Sequence, residues 1–173
     1  MVNFLYDYFY NQINLYNSLS KVSDNMCEDN GKSYIDFDSF PNYIDVISTA
    51  TTDTLLLNKD EKYIVFVEFK NFKKVKNFNT WFNRERKQQI YLKAYESFLA
   101  LEQLVIKKSK FDHNNYYDLD KRFIFVYDGK DAKKRIRRHI QGKIKRFEFI
   151  FDGDVFTMRC DGFKKFLGEK NLC

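Results

Sequence analysis

Proline, glycine, histidine and cysteine are all scarce in this chain, and each shortage excludes something. One proline and six glycines in 173 residues rule out a collagen-like or proline-rich linker protein. The two histidines, His113 and His139, stand apart without ligand spacing and receive no role. Three scattered cysteines, Cys27, Cys160 and Cys173, form no C-x-x-C pair. Neither a zinc site nor a disulfide framework is indicated, and free thiols in a reducing cytoplasm are expected. No apolar run approaches the roughly 18–20 residues of a membrane-spanning helix. The opening MVNFLYDYFYNQ has no basic stretch, and Asp7 and Asn11 break its apolar run, which does not match a secretory signal. A cytoplasmic protein without a membrane partner is the expectation.

What the chain has in quantity is aromatic mass. Hydrophobic residues are 44% and aromatics 18%, with 19 Phe and 12 Tyr, too much for a disordered chain. The length suits a single domain over 1–173, able to bury roughly two thirds of its unfolded surface. Basic residues number 30 against 24 acidic ones, a net charge of +6. That field favours anionic partners, nucleic acid foremost.

Apolar residues over 2–20 recur at three- and four-residue steps and predict an amphipathic helix. A polar loop follows over 21–32. Residues 34–40 read as a short strand or an extended lead-in to Pro41, and Tyr43 to Ser48 as a strand. Thr54-Leu-Leu-Leu57 and Tyr63-Ile-Val-Phe-Val-Glu-Phe-Lys70 flank a short charged turn, which makes a hairpin. Its second run is apolar on both faces, as for a central strand covered on both sides. A basic loop carries Lys73, Lys74 and Lys76, and a long helix runs from about Thr80 to Lys107. Arg122 to Asp128 is a buried-type strand. Asp131 caps a basic helix with Ile136, Ile140 and Ile144 at four-residue spacing. Phe147–Phe151 and Val155–Met158 read as a second hairpin around Asp152-Gly-Asp154, and Gly162 to Lys170 as a terminal helix. The order predicts an α/β (α+β) fold, a mixed central sheet flanked by helices.

Three charged residues stand out on the first hairpin. Glu68 and Lys70 are two apart on a strand and share a face. With a turn at 59–62, Asn58 pairs with Tyr63 and Asp53 falls opposite Glu68. Cross-strand neighbours have Cβ atoms roughly 5 Å apart, and two carboxylates at that spacing suit a hard divalent cation. Acid-x-Lys also occurs at Asp60-Glu-Lys62, Glu85-Arg-Lys87, Asp128-Gly-Lys130 and Asp131-Ala-Lys133, but in turns or on helix surfaces. Only Glu68-Phe-Lys70 ends a buried strand, where charges are costly unless paired or metal-bound. The alternative is a partly exposed salt bridge from Lys70 to Asp53 or Glu68.

The pattern Asp53, hairpin, Val67-Glu-Phe-Lys70 resembles the PD-(D/E)xK, restriction endonuclease-like, nuclease superfamily. The resemblance covers about 2–128, with 129–173 as a C-terminal extension, and departs from the motif at Thr52, where the motif has Pro. It implies phosphodiester hydrolysis dependent on Mg²⁺ or Mn²⁺, on DNA in preference to RNA. Asp53, Glu68 and the backbone carbonyl of Phe69 would hold the metal, and Lys70 would position the attacking water or stabilise the transition state. The other function class is a nuclease-fold module that binds nucleic acid or regulates without turnover. A homodimer is left open.

Accessory residues are expected on the helix after the motif, where Gln89, Lys93 and Glu96 fall on one face with Arg86 a turn earlier. Some exonuclease-like members carry Gln-x-x-x-Tyr there, and Lys93 stands in the Tyr place. A further acid is sought in Asp7, with Asp45 and Glu28 as rivals. Lys73, Lys74 and Lys76, with Lys134 and Arg138 of the basic helix, are the candidate phosphate contacts. The alternative for that helix is an Ile stripe packed on the sheet with its charges in water.

Overall fold

The hairpin is the centre of the fold in the computed structural model, which describes residues 1–40, 50–58, 60, 62–73, 75, 77–108, 116–128, 136, 138–140, 151 and 155–170. Strands β3 (Thr54–Asn58) and β4 (Tyr63–Asn71) pair antiparallel with Asn58 opposite Tyr63 and Thr54 opposite Val67. This is the register read from the sequence. Around them, β1 (Tyr16–Ser18), β2 (Ser33–Asp36), β5 (Asp120–Asp128) and β6 (Val155–Met158) complete a six-stranded sheet in the order β1-β2-β3-β4-β5-β6. The pairs from β1 to β4 are antiparallel, and β5 and β6 run parallel to β4. The protein is therefore mixed α/β, as expected.

Strand periodicity divides the core in two. Ile64 and Phe66 of β4 enter one apolar cluster with Leu55, Leu57, Phe123 and Phe125. Helix α1 (Val2–Tyr10) supplies Leu5 and Phe9 to that cluster, and the long helix α4 (Arg84–Lys108) supplies Ile90, Ala94, Phe98 and Leu101. Tyr63, Val65, Val67 and Phe69 face the opposite cluster. There they meet Leu19 and Val22 of α2 (Leu19–Val22) and Phe163 and Leu167 of α5 (Cys160–Glu169). Each such buried side chain contributes about 1.5–3 kcal/mol. A one-residue slip of β4 would turn Glu68 into the Val65–Val67 face, so burial fixes the register. Helix α3 (Phe78–Trp81) precedes α4, and Trp81 packs edge-on against Phe72. Lys121, fully buried, donates to the carbonyls of Tyr116, Tyr117 and Leu119 and ties down the turn before β5.

Three expectations are corrected. The helix expected over 2–20 ends at Tyr10. Asn11 and Asn14 are poor helix formers, and Tyr16–Ser18 pairs with β2 instead, leaving α2 as a separate turn of helix. The second hairpin is corrected at its described residues, Phe151 and Val155–Met158. Phe151 is helical and packs between Phe66 and Phe123, while β6 pairs parallel with β5. After residue 128, β6 extends the main sheet and α5 covers it. Cys27 and Cys160 are not free thiols but a disulfide across 133 residues, with Cα atoms 5.5 Å apart. Linear spacing carries no trace of this tertiary neighbourhood. The strand expected over 43–48 lies outside the described residues, as do most of the 131–145 helix and Cys173. Among the described residues no helix is long and apolar enough to cross a membrane.

Candidate functional site

Asp53 immediately precedes β3, and the Thr54–Val67 pair extends to put it opposite Glu68. Glu68 shares its face with Ile64 and Phe66, at the end where that face leaves the apolar core. Helix α4 crosses the same face. Its apolar side enters the core, while Lys93, Glu96 and Ser97 turn toward the segment leading into β3. The Ala50 N–H donates to Glu96 Oε2 at 2.6 Å, and the Thr52 N–H donates to Ser97 Oγ at 2.6 Å. The Phe69 N–H donates to Asp53 Oδ2 at 2.6 Å. Asp53 is thereby held between a helix-anchored segment and the backbone of β4.

One cation sits between the two carboxylates. Lys93 Nζ donates to Asp53 Oδ1 and to Glu68 Oε2, each at 3.1 Å, and lies 3.8 Å from Asp38 Oδ1. Lys70 Nζ is 2.6 Å from the other Glu68 oxygen, Oε1. The Glu68 side chain is fully buried, and those of Asp53 and Lys93 are 18% and 21% exposed. Burial above all, and then the Asp53 charge, push the Glu68 carboxyl up to about 7 against the pull of Lys70 and Lys93. Burial works to lower Lys93, but Glu68, Asp53 and Asp38 outweigh it and hold its ammonium well above the ordinary lysine range.

The cluster opens on a cleft of about 470 Å³ whose charged lining is Lys21, Asp24, Asp36, Asp38, Asp53 and Lys70. Four aspartates against two lysines make it acidic inside a basic protein. Among the described residues no group of three or more His, Cys, Asp and Glu side chains is arranged to hold a metal. Two carboxylates nevertheless converge on one cation position, with a third carboxylate near it, and such oxygen donors suit a hard divalent ion. The Phe69 N–H points toward Asp53, and a strand residue's carbonyl leaves on the same edge as its N–H. The β3 ladder has already ended at Thr54. The donor set thus fits the ion, on condition that Lys93 moves.

The structure brings together Asp53, Glu68, Lys70, Phe69 and Lys93. It does not bring in Gln89, which accepts from Arg86 at 2.9 Å and lines a surface groove with Leu92 and Tyr95. Asp7 is exposed on α1, and Glu28 pairs with Lys164. Lys73 does not line the cleft. Its ammonium is 2.5 Å from Asp128. Arg138 is exposed beside the core residues Ile136 and Ile140, away from the cleft lining. Asp45, Lys74, Lys76 and Lys134 lie outside the described residues. Asp38, Asp36, Asp24 and Lys21 are the charged cleft residues that sequence reasoning missed. The acid-x-acid run Asp36-Phe37-Asp38 was the available signal, and it is common on surfaces. Comparison with family models, curated proteins and solved structures finds no match to the chain.

Proposed function

We propose that the chain is a Mg²⁺- or Mn²⁺-dependent nuclease, acting on DNA in preference to RNA, on a core of the restriction endonuclease-like kind its sequence resembles. One observation carries the reading. Asp53 and Glu68 aim carboxylate oxygens at a common cation position, 3.1 Å from each, while Lys70 holds the remaining Glu68 oxygen at the cleft wall. The acidic lining adds support, because a phosphodiester backbone is repelled from four aspartates until a cation offsets them.

Asp53, Glu68 and the Phe69 carbonyl would hold the ion. When bound, it would polarise the phosphate and lower the pKa of a bound water. Asp53 is oriented for this by the Phe69 N–H, and Glu68 by the rigid centre of the sheet. Lys70, with 30% of its side chain exposed, can leave Glu68 and put its ammonium against a phosphate oxygen as charge develops there. A second reading has an observation of its own. Two ammonium groups already balance the two carboxylates, which suits a nuclease-fold module that binds nucleic acid without cutting it.

Mn²⁺ should raise the melting temperature of the wild-type protein, and Asp53→Ala should abolish the rise. A panel of duplex DNA, single-stranded DNA and RNA with Mn²⁺ then separates the readings. Cleavage lost in Asp53→Ala supports the nuclease. Metal binding without cleavage of any substrate leaves the binding module, and indifference of the wild type to Mn²⁺ contradicts the metal-dependent account.

A further inference from the structure

Lys93 occupies the position that a cation shared by Asp53 and Glu68 would take. We infer that Lys93 is the resident counter-cation of the site, and that a divalent ion binds there only by displacing its ammonium. The inference rests on the metal-dependent reading above and adds to it a competitor built into the chain. Three elements place the nitrogen. Helix α4 carries it, the segment before β3 supplies Asp53 at 3.1 Å, and β4 supplies Glu68 at 3.1 Å. Asp38 lies beyond at 3.8 Å. Lys70 is not equivalent, since it meets only Oε1 of Glu68.

Oxygen ligands hold a hard divalent ion at about 2.0–2.6 Å. An ammonium resting between the same two oxygens leaves no room for it, and like charges at that range repel strongly. The ammonium must therefore swing away when an ion enters. A route exists, because Lys93 is 21% exposed and adjoins Asp38 and Asp53, both on the cleft wall. The exchange has a use. Without metal, the ammonium keeps the two carboxylates together in the geometry that an ion needs. With metal, it is released beside an acidic cleft, where it adds a positive charge for a phosphate.

Mn²⁺ binding followed by electron paramagnetic resonance tests this in the wild type, Lys93→Met, Lys93→Gln, Lys70→Met and Asp53→Asn. Lys93→Met and Lys93→Gln should bind Mn²⁺ about tenfold tighter or more. Lys70→Met, which removes the same charge but not the occupant, should gain clearly less. In the wild type, Mn²⁺ should speed reductive methylation of Lys93, read residue by residue by mass spectrometry. This arm stands even where the Lys93 variants fail to fold. Equal affinity in the wild type and the Lys93 variants, with binding lost in Asp53→Asn, would leave the metal reading intact and overturn the competition. Weaker binding in the Lys93 variants, a Lys70→Met gain as large as theirs, or methylation unmoved by bound Mn²⁺ would also overturn it. No Mn²⁺ binding by the wild type or any variant would overturn both.

Discussion

At the carboxyl end of β4, the fully buried Glu68 meets Lys70 and Lys93, whose side chains are 30% and 21% exposed. At the carboxyl end of the neighbouring β5, Asp128 meets Lys73 and Arg159, whose side chains are 63% and 52% exposed. Each acid has two cationic partners, yet their protonation is driven in opposite directions. Burial wins at Glu68 and lifts its carboxyl to about 7. At Asp128 burial also pushes upward, but the ionic hydrogen bonds from Lys73 and Arg159 outweigh it and hold the carboxyl below its ordinary range. The difference teaches that partner count does not set a cluster's energetics. Depth of burial does first, and a second acid adds to it: Asp53 crowds Glu68, and the lysine between them answers to both. A site that a fold keeps at this cost is a candidate for chemistry, whereas the Asp128 cluster is explained as a tie between β5 and its flanking segments.

The contrast breaks most visibly in stability. Lys93→Ala leaves two carboxylates facing each other in a largely buried site and should cost about 3–5 kcal/mol. Lys73→Ala removes a mostly exposed partner and should cost about 1 kcal/mol or less. Urea denaturation measures both, and equal losses would erase the distinction. The disulfide comes next in size. It ties the segment after the cleft residues Lys21 and Asp24 to α5, directly beside Arg159. Cys27→Ser, or reduction of the wild type, should lower stability by about 2–4 kcal/mol. Identical unfolding curves with and without reductant would show that the bridge does not form.

The pH dependences should have opposite signs. Glu68 titrates near its ordinary 4.5 when unfolded and near 7 when folded, so the native state binds the extra proton between those values. Stability should therefore fall as pH rises from about 5 to 8, by up to about 3 kcal/mol, and Glu68→Gln should flatten that fall. Asp128 is lowered in the native state, so its contribution is present at neutral pH and is lost only as pH drops below about 4. Melting temperatures of Glu68→Gln and Asp128→Asn across this range check both signs.

Much of the β4 cluster was legible from sequence, and the reason is local. Two adjacent apolar runs joined by a short turn at 59–62 predict the register Asn58–Tyr63, and from it the juxtaposition of Asp53 with Glu68. Helical spacing put Lys93 and Glu96 on one face, but spacing cannot say which element that face meets. Lys93 therefore stood as an accessory rather than as the residue bridging both carboxylates, and Glu96 binds backbone instead. The parallel pairing of β6, the Cys27–Cys160 bridge and the arrival of Asp38 depend on contacts between distant segments, which no local period encodes. The same holds for Lys73, whose capture by Asp128 joins residues 55 positions apart that meet only because β4 and β5 run parallel.

The measurement that bears most directly on the central claim compares cleavage with binding in Lys70→Ala. Lys70 touches Glu68 through one oxygen and takes no part in the Asp53–Glu68 convergence, so its loss should spare both the metal and the nucleic acid. The account predicts that Lys70→Ala binds Mn²⁺ at least as tightly as the wild type and binds DNA like the wild type in Ca²⁺. Single-turnover cleavage in Mn²⁺ should fall by about 10²–10³-fold, the loss expected for one transition-state donor. Unchanged cleavage in Lys70→Ala would contradict it and return Lys70 to a salt-bridge partner of Glu68.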